Sequence, residues 1–195
     1  MTAPDEPVHL TPAQHAVLVA AVDRVIPPDP DLGAPGAGAA GVADYIDGLL
    51  GAFLVDPPRI FAGGPFSGRH GGEDGFRTFL PLGRLEELAW RTRIEGSQGR
   101  PEREINGRVI GWQEHYRDGL AALGADFAEQ DSAEQDARLD AIPDFRALLY
   151  EHACEGMYGD PVYGGNRDGV AWRFIEFPGD VLPRGWTAVE VTGRD

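Results

Sequence analysis

TPAQHAVLVAAVDRVIPP, running from Thr11 to Pro28, sets the architecture of this chain. Thr11 is a side-chain cap, Pro12 falls at the first helical position, and Gln14 completes a capping box. Leu18, Val22, Val25 and Ile26 then form one apolar stripe. Pro27 and Pro28 end the element, because neither can donate the next helical hydrogen bond. The stretch predicts a helix from Thr11 to Ile26, and the same pattern recurs along the chain. Val42 to Leu54 places Val42, Tyr45, Ile46, Leu49, Leu50 and Phe53 at helical spacing. Arg84 to Ile94 turns Leu85, Leu88, Ala89 and Trp90 inward. Gly107 to Leu123 sets Val109, Trp112, Tyr116, Leu120 and Leu123 on one face. Ser132 to Leu139 carries a Ser132/Gln135 capping box. Asp144 caps Phe145 to Met157. A segment at Ala188 to Thr192 alternates like a short strand but has no evident partner. The expectation is an all-α fold, an irregular bundle of about six helices in a single domain spanning residues 1–195.

Long irregular arms join these helices. The chain carries 27 Gly and 16 Pro among 195 residues, enough to imply shaped loops. They concentrate in residues 27–41, 57–75 and 158–195. A chain of this length buries roughly 70% of its unfolded surface, so it needs no disulfide or metal to fold. Its only cysteine, Cys154, excludes an intrachain disulfide and thiolate cages. The net charge of −15 repels phosphate backbones and anionic lipid heads. Nucleic acid is therefore not an expected partner. No apolar run reaches membrane-spanning length. There is no lysine, which removes Schiff-base chemistry.

Candidate chemistry is sparse. His9, His15, His70, His115 and His152 show no metal-ligand spacing, and there is no HExxH. Glu151, His152, Cys154 and Glu155 form the densest ligand cluster. On a helix Glu151 and Glu155 share a face while His152 points elsewhere, so the plain reading is a helix face with a half-buried His and Cys. Gly36, Gly38 and Gly41 satisfy GxGxxG but follow Pro-Asp-Pro-Asp rather than a strand, which leaves no βα turn to aim amides at a pyrophosphate. No catalytic and no metal-binding residue is expected. An independent metal- or ligand-binding protein using Glu151, His152, Glu155 and Tyr158 is the alternative.

One stretch has a different character: EGMYGDPVYGGNRDGVAWRFIEFPG, Glu155 to Gly179. Asp160-Pro161 starts a turn. Gly164, Gly165 and Asn166 tolerate positive φ and predict a tight reversal or a nest of amides. Tyr163, Arg167 and Trp172 are of the types enriched at interface hot spots. Residues alone leave two readings open, a loop packed on its own helices and a loop that contacts a partner.

This stretch resembles the signature of the gluconate 2-dehydrogenase subunit 3 family. The resemblance rests on Glu155, Gly156, Tyr158, Asp160, Pro161, Tyr163, Gly164, Gly165, Asn166, Trp172, Pro178 and Gly179. LTPAQHAVLVAAVDRVIPPD, from Leu10, resembles the family's opening helix. The resemblance implies a non-catalytic accessory subunit. It would bind and stabilise a large flavoprotein of the glucose–methanol–choline type, which holds FAD and oxidises a hydroxyl of a sugar, glycoside or sugar acid. Some complexes of the family add a cytochrome c subunit. The expected docking residues are Tyr158, Asp160, Tyr163, Gly164, Gly165, Asn166, Arg167, Trp172 and Pro178. Many members of the family begin with a twin-arginine export signal. Here the first arginine is Arg24, so the expected location is the cytoplasm.

Overall fold

A computed structural model of the protein describes residues 7–56, 58, 60 and 82–178. Seven α-helices occur among them: α1 Pro12–Val25, α2 Val42–Leu50, α3 Arg84–Glu95, α4 Trp112–Leu123, α5 Ser132–Asp140, α6 Pro143–Tyr158 and α7 Val170–Phe174. There is no strand among the described residues, only an isolated bridge between Asp29 and Ala34. The fold is all-α, as the periodicity implies. The alternating segment at 188–192 and most of the arm at 57–75 lie outside the described residues.

α1 is the hub. Thr11 and Gln14 form the expected reciprocal capping box, and the helix packs against α2, α4, α5 and α6. Val17, Leu18, Ala21 and Val22 are buried on it. Full burial of a side chain such as Leu18 contributes about 1.5–3 kcal/mol. The main core joins these residues to Ile46, Leu50, Tyr116, Leu120, Phe127 and Leu149. A smaller cluster gathers Ala52, Ile60 and Ile94 beneath Trp90 and Trp112.

Several elements differ from the sequence reading, each for a local reason. The apolar run from Val42 breaks at Gly51 and finishes as a 3₁₀ turn, Ala52–Leu54. α4 begins at Trp112 rather than Gly107, because Gly111 lies directly against the backbone of Glu95 and Gly96. That crossing closes residues 96–111 into a loop. Ser97 N donates to the Val109 carbonyl at 3.0 Å, and Val109 N donates to Ser97 Oγ at 2.7 Å. Arg103 is buried beneath the loop, on the Gly96 carbonyl at 3.1 Å and Glu95 at 2.9 Å. Val109 is therefore on the loop's outer surface, not on a helix face. Leu85 and Ala89 face solvent, Leu85 at 78% exposure, while Ile94 supplies the buried contact of α3. α5 is capped by Asp131, whose side chain accepts from Glu134 N at 3.0 Å, instead of by Ser132. α6 starts two residues earlier than expected, with Pro143 at N1 and Ile142 as the cap residue. Finally, the arm after residue 158 contains a short helix, α7, that periodicity missed.

Candidate functional site

The signature stretch begins at the end of α6 and folds back onto α2 and α6. Asp160 Oδ1 accepts from Val162 N at 2.9 Å and opens a 3₁₀ turn, Pro161–Tyr163, with Pro161 fixing its first position. Gly164, Asn166, Asp168 and Gly169 all take positive φ. This is the tight reversal that the Gly164-Gly165-Asn166 run implies. Asn166 is wholly buried and acts as the clasp. Its Oδ1 accepts from Ala171 N at 2.9 Å, its Nδ2 donates to the Gly159 carbonyl at 3.1 Å, and so both ends of the loop close on one amide. A Cβ on Gly165 would sit on the Gly156 carbonyl, and one on Gly156 would meet the Tyr45 ring at 2.6 Å. These glycines let the loop backbone lie flat on α6. Trp172, 6% exposed, donates its indole N–H to the Tyr158 carbonyl at 2.7 Å and stacks edge-on with Phe177.

Charged groups lock the loop to the helical core. Arg167 N donates to the Ala40 carbonyl at 2.8 Å, and its guanidinium pairs with Asp44. His15 Nε2 meets the other oxygen of Asp44 at 2.9 Å. One α2 carboxylate thus ties α1 to the signature loop.

The nine expected docking residues divide clearly. Gly165, Asn166 and Trp172 are internal and hold the loop's shape, and Gly164 forms its turn. Arg167 is exposed but engaged with Asp44. Tyr158 and Pro178 are exposed, while Asp160 and Tyr163 are half-buried. Burial, with Asp160 close by, pushes the Tyr163 phenol up to about 12. Tyr158, Asp160 and Tyr163 converge on an open groove of about 420 Å³. Tyr45, Leu49, Ile60 and Trp90 form its other aromatic and aliphatic walls. Glu155 stands on its edge, its carboxylate accepting from the Tyr45 hydroxyl at 3.0 Å.

The cluster Glu151, His152, Glu155 and Tyr158 does not converge. Glu151 and Glu155 face solvent, whereas His152 is 1% exposed in the core. Its Nδ1 meets the Tyr116 hydroxyl at 3.0 Å, and the Trp112 ring stands edge-on at 4.5 Å. Desolvation lowers its pKa to about 4, which keeps the imidazole neutral. His152 is therefore fully buried, deeper than a helix-face reading allows. Among the described residues no three His, Cys, Asp or Glu side chains are grouped to hold a metal ion.

Two polar anchors escaped the sequence reading. Gly38 N donates to Asp23 Oδ1 at 2.7 Å, and a Cβ on Gly36 or Gly38 would strike the Asp23 carboxylate at 2.6 or 2.5 Å. The GxGxxG run thus closes over a half-buried carboxylate of its own chain through one amide. Asp47, 3% exposed within α2, takes the amides of His9 and Leu10 at 3.0 and 2.7 Å and that of Val8 as well. An aspartate carries no distinctive sequence signal in a chain with 32 acidic residues.

The result is a helical scaffold whose glycine-rich turns are fastened by its own carboxylates and amides, beside an open aromatic groove. A family model, Gluconate 2-dehydrogenase subunit 3, matches residues 12–179. The chain belongs to that family. The search of curated proteins and the search of solved structures each returned no significant match.

Proposed function

We propose that this chain is a non-catalytic small subunit that docks on and stabilises a FAD-dependent oxidoreductase of the glucose–methanol–choline type. That partner oxidises a hydroxyl of a sugar, glycoside or sugar acid. The family match over residues 12–179 carries the proposal. The side chains of this chain agree with a docking role. The amide of the glycine-rich turn that a pyrophosphate would need is taken by Asp23. Among the described residues, the groove is edged by carboxylates and lined by no cationic side chain, which suits the phosphates of a dinucleotide poorly. The described residues thus offer no phosphate-binding set for FAD, which supports placing the flavin in the partner. A rigid loop fixed to α2 and α6 offers a preformed face, so little ordering entropy is lost on association.

Co-expression with the flavoprotein encoded nearest to this chain provides the test. The two should co-elute on size exclusion, and the flavoprotein should lose solubility or dye-linked sugar oxidation when expressed alone. A flavoprotein that is soluble and fully active by itself, and that elutes separately, overturns the proposal.

A further inference from the structure

α6 carries two apolar stripes, and they meet different surroundings. Phe145, Leu149, His152, Ala153 and Met157 are buried on its inner side, where α1, α2, α4 and α5 pack. Pro143, Ala147, Tyr150, Cys154 and Tyr158 recur at helical spacing on the outer side. All of these but the half-buried Cys154 are exposed, Tyr150 at 54% and Tyr158 at 44%. The two tyrosines lie about 12 Å apart along the helix. A helix apolar on both sides fits between two packed layers, and the exposed tyrosines mark the side open to a second one. Beside Tyr150, the residues Val25, Asp140, Pro143, Arg146 and Ala147 line an open groove of about 350 Å³. At the other end, the Tyr158 carbonyl accepts from the Trp172 indole, and Trp172 packs edge-on with Phe177, 39% exposed. The apolar surface thus continues from α6 onto the end of the signature loop, where Phe174 and Ile175 are exposed as well. Contiguous exposed apolar surface of this kind marks protein contact sites, and tyrosine is among their usual anchors.

Charge selects what covers it. Asp144, Glu151 and Glu155 run along one edge of the outer stripe, and all three face solvent. Arg146 stands on the other edge, 3.5 Å from Asp140. A second copy of this chain laid antiparallel would set the acidic row against itself. A parallel copy would offer that row an arginine already held by Asp140. Either copy adds another fifteen negative charges. A surface with an apolar ridge and basic side chains along one edge matches both features of the stripe. We propose that the outer stripe of α6, from Pro143 to Tyr158, is a docking surface for the flavoprotein partner. The partner seats such a ridge on Tyr150 and Tyr158 and sets basic side chains against Glu151. The inference rests on the proposed function for the identity of the partner. The stripe is about 22 Å long, less than the roughly 800 Å² per partner of a stable interface requires, so it acts together with the exposed end of the signature loop.

Two measurements on the full chain test it. The first is hydroxyl-radical footprinting of the wild type, free and in complex with the co-expressed flavoprotein. Tyr150 and Tyr158 should react in the free chain at every concentration and lose most of that reactivity in the complex. The second is the affinity of the complex. Tyr150→Ala and Glu151→Arg should each weaken it about tenfold. Glu129→Arg makes the same change of charge at an exposed position outside the stripe and should weaken it about twofold or less. All three positions are exposed, an unchanged far-UV spectrum certifies the fold of the variants, and the footprint needs no variant. Protection of Tyr150 in the free chain overturns the inference. If that protection grows with concentration the occupant is a second copy, and if it does not the occupant is a segment of this chain. A complex that leaves Tyr150 reactive, or that tolerates both variants, overturns the inference while the proposed function stands. So does a loss in Glu129→Arg as large as that in the other two. A wild-type pair that does not associate defeats both.

Discussion

At the scale of single residues, the signature loop is held by side chains that cannot be exchanged for similar ones. Asn166 closes two backbone groups at once and sits at φ 45°. Asn166→Ala leaves the Gly159 carbonyl and the Ala171 amide without their partner. The expected loss is about 2–4 kcal/mol, read as a lower urea midpoint at unchanged slope. Gly165→Ala drives a methyl into the Gly156 carbonyl, where backbone meets backbone and neither can rotate away. About 1–3 kcal/mol is expected there. His152 gives a pH signature. Its folded pKa, about 4, lies below the unfolded 6.5, so the unfolded chain binds more protons between those values. Stability contributed by the neutral imidazole is complete above about pH 6.5 and is lost as the pH falls toward 4. Between pH 7 and pH 5 the wild-type chain should lose about 2 kcal/mol from this residue. Urea titrations of wild type and His152→Leu at both values check this, because the slope assigned to His152 must vanish in the variant. The residues behind these effects were unequally legible. The glycines and Asn166 announce a reversal through their tolerance of positive φ. The fates of His152 and Asp47 depend on which helix covers them, and no local pattern carries that.

At the scale of elements, caps and periodicity located the helices well where local chemistry controls them. Thr11, Pro12 and Gln14 start α1 as their geometry requires. The failures lie where a distant contact decides. α4 loses its first turn to the Gly96–Gly111 crossing, and α3 turns Leu85 outward because its buried contact comes through Ile94. The most telling element is the turn between α1 and α2. Its GxGxxG spacing resembles a phosphate cradle, yet the anion it encloses is Asp23, fifteen residues before Gly38. A glycine-rich turn and a free carboxylate look unrelated in sequence, since only the fold brings them together. Removing the carboxylate should loosen this turn selectively. Asp23→Ala should cost about 1–3 kcal/mol and abolish exchange protection at the Gly38 amide, while the α4 amides stay protected. Asp23→Asn retains an acceptor oxygen and should restore part of that protection. Uniform loss of protection along the chain, or none at Gly38, would contradict the account.

At the scale of the whole molecule, the acidic surface is the property that any partner meets first. Fifteen excess negative charges act at a distance, before α6 or the loop makes contact. The helical class and the charge were readable directly from composition and periodicity. The groove was not, because it is assembled from α2, α3 and α6 together with the turn after α6, and no window of sequence contains all of them. Long-range attraction and short-range fit should separate in the kinetics. Charge steering raises the association rate and is screened over a Debye length of about 8 Å at physiological salt, whereas desolvated contacts govern dissociation. For the chain and the proposed flavoprotein partner, raising salt from 50 to 500 mM should therefore slow association by about tenfold or more. Dissociation should change much less. Stopped-flow association and surface-based dissociation measured across that range decide the matter. An association rate indifferent to salt would show that the acidic surface serves solubility alone, and that recognition rests entirely on the contacts made after encounter.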